Sequence, residues 1–151
     1  MPNADLYDED ILLWSERQAD LLRRTAAGAH GNQEAPDWSN IIEEIESVGR
    51  GELHAVRSLL VQALLHDLKV QAWPSSREVP HWRAEARGFR GDAAAAFTPS
   101  MRQRIDMAAL YRRALDRLPE SLDDQPPLPV PHECKITLDA LLTGVAGNDQ
   151  G

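Results

Sequence analysis

The chain has 151 residues, 42% of them hydrophobic and 26% charged, the length of one ordinary domain with enough apolar side chains to bury a core. Its formal charge of −8 excludes a protein built chiefly to coat nucleic acid, since neutralising phosphates needs a basic footprint. Apolar runs such as SLLVQALL at 58 to 65 are far too short for a bilayer span, and the acidic start MPNADLYDED is unlike a signal peptide.

A single domain over 1–151 is therefore expected, with no membrane association and the cytoplasm as its compartment. The single cysteine, Cys134, fits a reducing environment and has only His132 nearby in sequence. Charge is unevenly spread: residues 1 to 50 hold 11 acidic and 4 basic side chains, 77 to 117 hold 5 and 9, and 118 to 151 hold 6 and 1. Complementarity between acidic and basic helices within one domain is the economical explanation, and an anion or RNA/DNA contact through the arginine-rich helices 77–117 is the alternative.

In DEDILLWSERQADLLRRTAAG, apolar residues from Ile11 to Leu22 recur at spacings of three and four, which predicts an amphipathic helix with Asp8 at its cap. GAHGNQEAP reads as a loop. In DWSNIIEEIESVG, Asp37 or Asn40 can cap a second helix, and Ile41, Ile42, Ile45 and Val48 fall within one arc of about 120 degrees that should face the core. Glu43 and Glu46 then point outward, Glu46 within reach of Arg50, and Glu44 lies at the edge of the apolar arc, where partial burial would perturb it.

Gly49 and Gly51 should break the chain before ELHAVRSLLVQALLHDLKVQAW, a helix with apolar residues on most of its circumference and hence the central one. Asp67 falls inside that arc and needs a partner or a cleft, while His66 lies at its edge. PSSREVP reads as a turn and HWRAEARGFRGDAAAAF as a helix weakened by Gly88 and Gly91. Thr98 and Pro99 announce a further helix carrying Ile105, Tyr111 and Leu115, ended by Pro119. DDQPPLPVPHEC should run extended, and Thr137 caps a short helix TLDALLTG. The expected architecture is all-α, a bundle of five or six helices with a proline-rich extended C-terminal segment.

The stretches DLYDEDILLWSERQADLLR, DWSNIIEEIESVGRGE, LLHDLKVQAW, HWR and VPHECKITLDALL, spanning Asp5 to about Leu142, resemble the bacterial helical proteins catalogued as domain of unknown function 29. The resemblance implies an all-α bundle and no particular activity. Members of that family tend to read His-Leu-Leu-Lys where this chain reads HDLK, so Asp67 is a local departure.

Candidate chemistry narrows to one polar set: Glu43, Glu44, His66, Asp67 and His81. A divalent metal or acid-base hydrolase-like site would join Glu43 or Glu44 with His66 and His81. A histidine satisfied by a carboxylate is the plainer expectation for His66. No phosphate loop, dinucleotide fingerprint or zinc-protease helix occurs, and Cys134 has no oxyanion feature beside it. PPLP, at 126 to 129, is a minimal polyproline ligand pattern or a docked loop, and the four tryptophans read as core and boundary residues. The expected role is that of a protein-interaction or regulatory module without catalysis or cofactor, whose partner is another protein or a second copy.

Overall fold

The computed structural model describes residues 3–29 and 34–144. Among them are six α-helices and a 3-10 helix: α1 (Asn3–Glu9), α2 (Ile11–Gly28), α3 (Trp38–Ala72), α4 (Val79–Ala96), the 3-10 helix Pro99–Arg104, α5 (Met107–Asp116) and α6 (Leu138–Thr143). The fold is all-α, as the helical periodicity predicts, with one isolated bridge between Leu122 and Gln125 as the extended pairing among the described residues. None of the described helices is long and apolar enough to cross a membrane. The loop expected over residues 28 to 36 lies partly outside the described residues.

The helices fall into two compact units. One comprises α1, α2, α3 as far as His54, and the 3-10 helix; the other comprises α3 from Ala55, α4, α5 and α6.

In the first unit Asp10, not Asp8, caps α2: its carboxylate accepts from the Leu13 amide at 3.1 Å, while Asp8 lies within α1. The same carboxylate accepts from the Thr98 hydroxyl at 2.9 Å and from the Ser100 amide and hydroxyl at 2.8 and 2.6 Å, so one side chain ties the start of α2 to the 3-10 helix. Burial pushes the Asp10 carboxyl up, yet the bonds from Ser100, Leu13 and Thr98 together hold it below the usual carboxylate value. The Thr98-Pro99 signal thus opens a 3-10 turn, and Asp106, accepting from the Ala109 amide at 3.3 Å, starts the α-helix proper.

The break expected at Gly49 and Gly51 is absent, because α3 runs unbroken for 35 residues. Gly49 is buried, and a Cβ built on it would meet the Ser15 Oγ at 2.1 Å and Leu12 Cδ1 at 3.0 Å. The missing side chain therefore allows α2 and α3 to approach closely, and the helix tolerates a residue of low propensity there. The inward stripe of α3 passes through Gly49, Leu53, Val56 and Leu60, with Ile42 and Ile45 partly buried along it. Ile41 and Val48, expected to face inward, are exposed at 39% and 41%.

In the second unit α3 keeps Val56, Leu60, Val61, Leu64 and Leu68 buried, in agreement with its apolar circumference. Ala72, Trp73, Val79 and Trp82 form a cluster against which Val70, Leu118, Leu122 and Val130 pack. Trp73 Nε1 donates to the Gln125 carbonyl at 3.0 Å, and the Leu128 amide donates to the Ala72 carbonyl at 2.9 Å, which docks the PPLP segment on the end of α3. The Tyr111 hydroxyl donates to the Pro131 carbonyl at 2.5 Å. α6 begins as predicted, with the Thr137 hydroxyl accepting from the Ala140 amide at 3.1 Å.

The start of DDQPPLPVPHEC is not extended. Leu122 and Gln125 exchange two backbone bonds of 2.9 Å around Asp123 and Asp124, whose φ angles of 51° and 60° are left-handed. Both positions favour Asn or Gly in a tight turn of this hand. Replacing the pair with Asn-Gly is expected to stabilise the protein by about 1 kcal/mol, measured by urea denaturation.

Candidate functional site

The chemistry-bearing side chains of the second unit come from α3 and α4. His66 and Asp67 are neighbours on the central helix, where continuous apolar packing leaves His66 only 7% exposed. His81 and Glu85 stand one turn apart on α4, and four-residue spacing places both on one face. Glu85 reaches both histidines: one oxygen lies 2.8 Å from His66 Nε2 and the other 3.2 Å from His81 Nε2. The opposite nitrogen of His66, Nδ1, is 2.7 Å from the Gln62 carbonyl, and Phe89 packs with its ring centroid 5.2 Å from the imidazole. Both nitrogens of His66 thus face oxygen atoms, one of a side chain and one of the backbone.

Asp67 turns to a different partner. Arg90 on α4 donates from Nη1 to both carboxylate oxygens, at 3.1 and 3.3 Å. Burial pushes the Asp67 carboxyl up, more than the charge and hydrogen bonds of Arg90 and the charge of His66 draw it down, so it lies above the usual value. A carboxyl raised on folding contributes most stability below its unfolded value of 3.8, and that contribution is lost as pH rises through the folded value. Asp67→Asn should abolish this loss: relative to the parent, the variant gains stability between acidic and neutral pH in paired denaturation series. A constant difference between the two proteins would contradict the assignment.

Glu43 and Glu44 lie on the first-unit part of α3 and take their contacts there. Arg50 donates to Glu43 at 2.5 Å and to Glu46 at 3.4 Å, and Arg23 also pairs with Glu46. Glu44, expected to be the partly buried member, is exposed, and Glu46 is the more enclosed at 24% side-chain exposure. α3 is rotated relative to the expected arc because its inward stripe runs through Gly49, which carries Glu46 toward Arg23. Among the described residues, no three His, Cys, Asp or Glu side chains are grouped so as to hold a metal ion.

Glu85 and Arg90 were missed by the sequence reading. The four-residue step from His81 to Glu85 was the available signal for the first; the pairing of Asp67 with Arg90 has no signal in local spacing.

Beside Asp67 and Arg90 opens a cleft of about 720 Å³ in the second unit. Its apolar lining includes Leu64, Leu68, Tyr111 and Ile136, and its charged lining comprises Asp67, Arg83, Arg87, Arg90, Glu133 and Lys135. A second cavity, of about 470 Å³, lies where the turn at Asp123 and the segment up to Leu128 cross Trp73. Cys134, beside the first cleft, donates its thiol to the Ile136 carbonyl at 3.3 Å.

Residues 6–144 match the family described as Domain of unknown function DUF29. A similar solved structure is that of an α-helical protein of unknown function from Rhodospirillum rubrum ATCC 11170, 27% identical, with a TM-score of 0.80 over 90% of this chain and 88% of that one. None of the curated proteins matches. With the match running from Leu6 to Gly144 and embracing both units, the chain belongs to the DUF29 family.

Proposed function

We propose that the protein is a cytoplasmic binding module without catalytic activity, and that its recognition surface is the cleft of the second unit. The observation that supports this is the state of the polar groups around the cleft. Asp67, the carboxylate that α3 places in the cleft lining, is bound by Arg90, and His66, outside the lining, has both ring nitrogens against oxygen atoms. A general base must be able to reach a substrate proton, and these are occupied. What the cleft offers instead is apolar lining and cationic side chains, within the usual ligand-pocket range of roughly 300 to 1,000 Å³. The single thiol, Cys134, fits a reducing compartment.

The test is a fragment screen on the full chain read by amide NMR, together with turnover assays on ester, phosphoester and peptide substrates with and without divalent metals. Saturable shifts clustered on the cleft residues, without turnover, are expected. Turnover that disappears in His66→Gln would overturn the reading, as would fragments that gather away from the cleft.

A further inference from the structure

Arg83, Arg87 and Arg90 follow one another on α4 at steps of four and three residues, which places them on one side of the helix along roughly 10 Å of its length. All three line the cleft. Arg90 is anchored to Asp67, whereas Arg83 and Arg87 are exposed and carry no ion pair among the described residues. Lys135, from the segment before α6, adds a fourth cation to the lining and Glu133 a second acid. One of the two acids is thus already taken by Arg90, and the remaining cations outnumber the remaining acid.

This local excess stands in a chain of net charge −8, which has 24 acidic side chains available to neutralise it. The acid between Arg83 and Arg87 in the chain, Glu85, turns to His66 and His81, so the two arginines share one side of α4 without a carboxylate partner among the described residues. The planar guanidinium donates two parallel hydrogen bonds to an oxyanion, and several such forks around one cleft suit a group with three acceptor oxygens and about two negative charges, which describes a phosphate monoester better than a single carboxylate. Val70 and Ile136, both half-buried, supply an apolar lining next to the charges, so the remainder of the ligand has a hydrophobic body. The net negative charge of the chain opposes a long polyanion, as does the limited volume of the cleft.

We propose that the cleft between α3, α4 and the segment before α6 binds a phosphate monoester with an apolar body, held by Arg83, Arg87 and Lys135. The proposal rests on the cleft being the recognition surface, and names what occupies it. Isothermal titration of the full chain with phenyl phosphate, inorganic phosphate and benzoate tests it. Phenyl phosphate should bind saturably at one site, about tenfold or more tighter than either comparator, because it alone satisfies both the guanidinium forks and the apolar lining. Arg83→Ala with Arg87→Ala should weaken it at least about tenfold, while Arg112→Ala with Arg117→Ala, which removes the same charge from α5 and the residue after it, should leave the affinity unchanged. Equal losses in the two double variants, or no saturable binding of phenyl phosphate, would overturn the proposal. Benzoate binding as tightly as phenyl phosphate, and lost on replacing Arg83 and Arg87, would overturn the phosphate assignment alone and leave the cleft as the recognition surface.

Discussion

Asp10→Ala should destabilise the protein by about 3 kcal/mol at neutral pH, close to the loss of a helix cap plus several charge-assisted hydrogen bonds. The carboxylate is 5% exposed and accepts four hydrogen bonds, two of them from backbone amides. Alanine would leave the Leu13 and Ser100 amides and two hydroxyls facing a space that no longer holds an acceptor. Folding depresses the Asp10 carboxyl below 3.8, so its contribution is present above that value and is lost as pH falls through the folded value. The deficit of the variant should therefore shrink in acid, and urea denaturation of both proteins across that window measures it. Asp10→Asn, which keeps one carbonyl acceptor, should fall between the two.

Gly49→Ala should also be strongly destabilising, by about 2 to 4 kcal/mol, although alanine is the better helix former by about 1 kcal/mol. The added methyl would lie 2.1 Å from Ser15 Oγ, 3.0 Å from Leu12 Cδ1 and 3.2 Å from the Leu12 Cα. Ser15 is fully buried and donates its hydroxyl to the Leu12 carbonyl at 2.9 Å, so its Oγ has nowhere to rotate without losing that bond. Combining Gly49→Ala with Ser15→Ala should recover part of the loss, with the Leu12 backbone contact accounting for the remainder. Gly51→Ala is the control: a Cβ there meets nothing within 4 Å, and the variant should be neutral or stabilised. Thermal denaturation of the parent, Gly49→Ala, Ser15→Ala and their combination forms a double-mutant cycle, with Gly51→Ala as a fifth protein for reference.

Those two positions also show where reading the chain succeeds and where it stops. Periodicity located α2 and the long apolar circumference of α3, because a repeat of three and four residues is a local property of the chain. Local propensity alone makes Gly49 a break; its actual role depends on Leu12 and Ser15 of another helix. The role of Asp10 is likewise hidden from local spacing, as three of the four bonds to it come from residues Thr98 and Ser100, far along the chain. The left-handed turn at Asp123 and Asp124 has only a weak signal in the pair of aspartates, which tolerate this region less readily than Asn or Gly, and the prolines that follow point to extended chain instead.

Within the candidate site, the need of Asp67 for a partner follows from its place inside the apolar arc, whereas His66, expected at the edge of that arc, is buried. That His66 and His81 meet at Glu85 could be half seen, because the step from His81 to Glu85 is helical. Asp67 finding Arg90 could not, because it depends on how two helices pack. Arg90 thereby engages Asp67 within the cleft, and Arg83, Arg87 and Lys135 remain as its available cations.

The most direct measurement is a crystal structure of the full chain soaked with 4-bromophenyl phosphate, in which anomalous scattering locates the bromine. The phosphate is expected between Arg83 and Arg87 and the bromine over Val70 and Ile136, with the His66–Glu85–His81 and Asp67–Arg90 pairs intact. A ligand seated on Glu85 with the histidines released, or an anomalous peak outside the cleft, would contradict this placement.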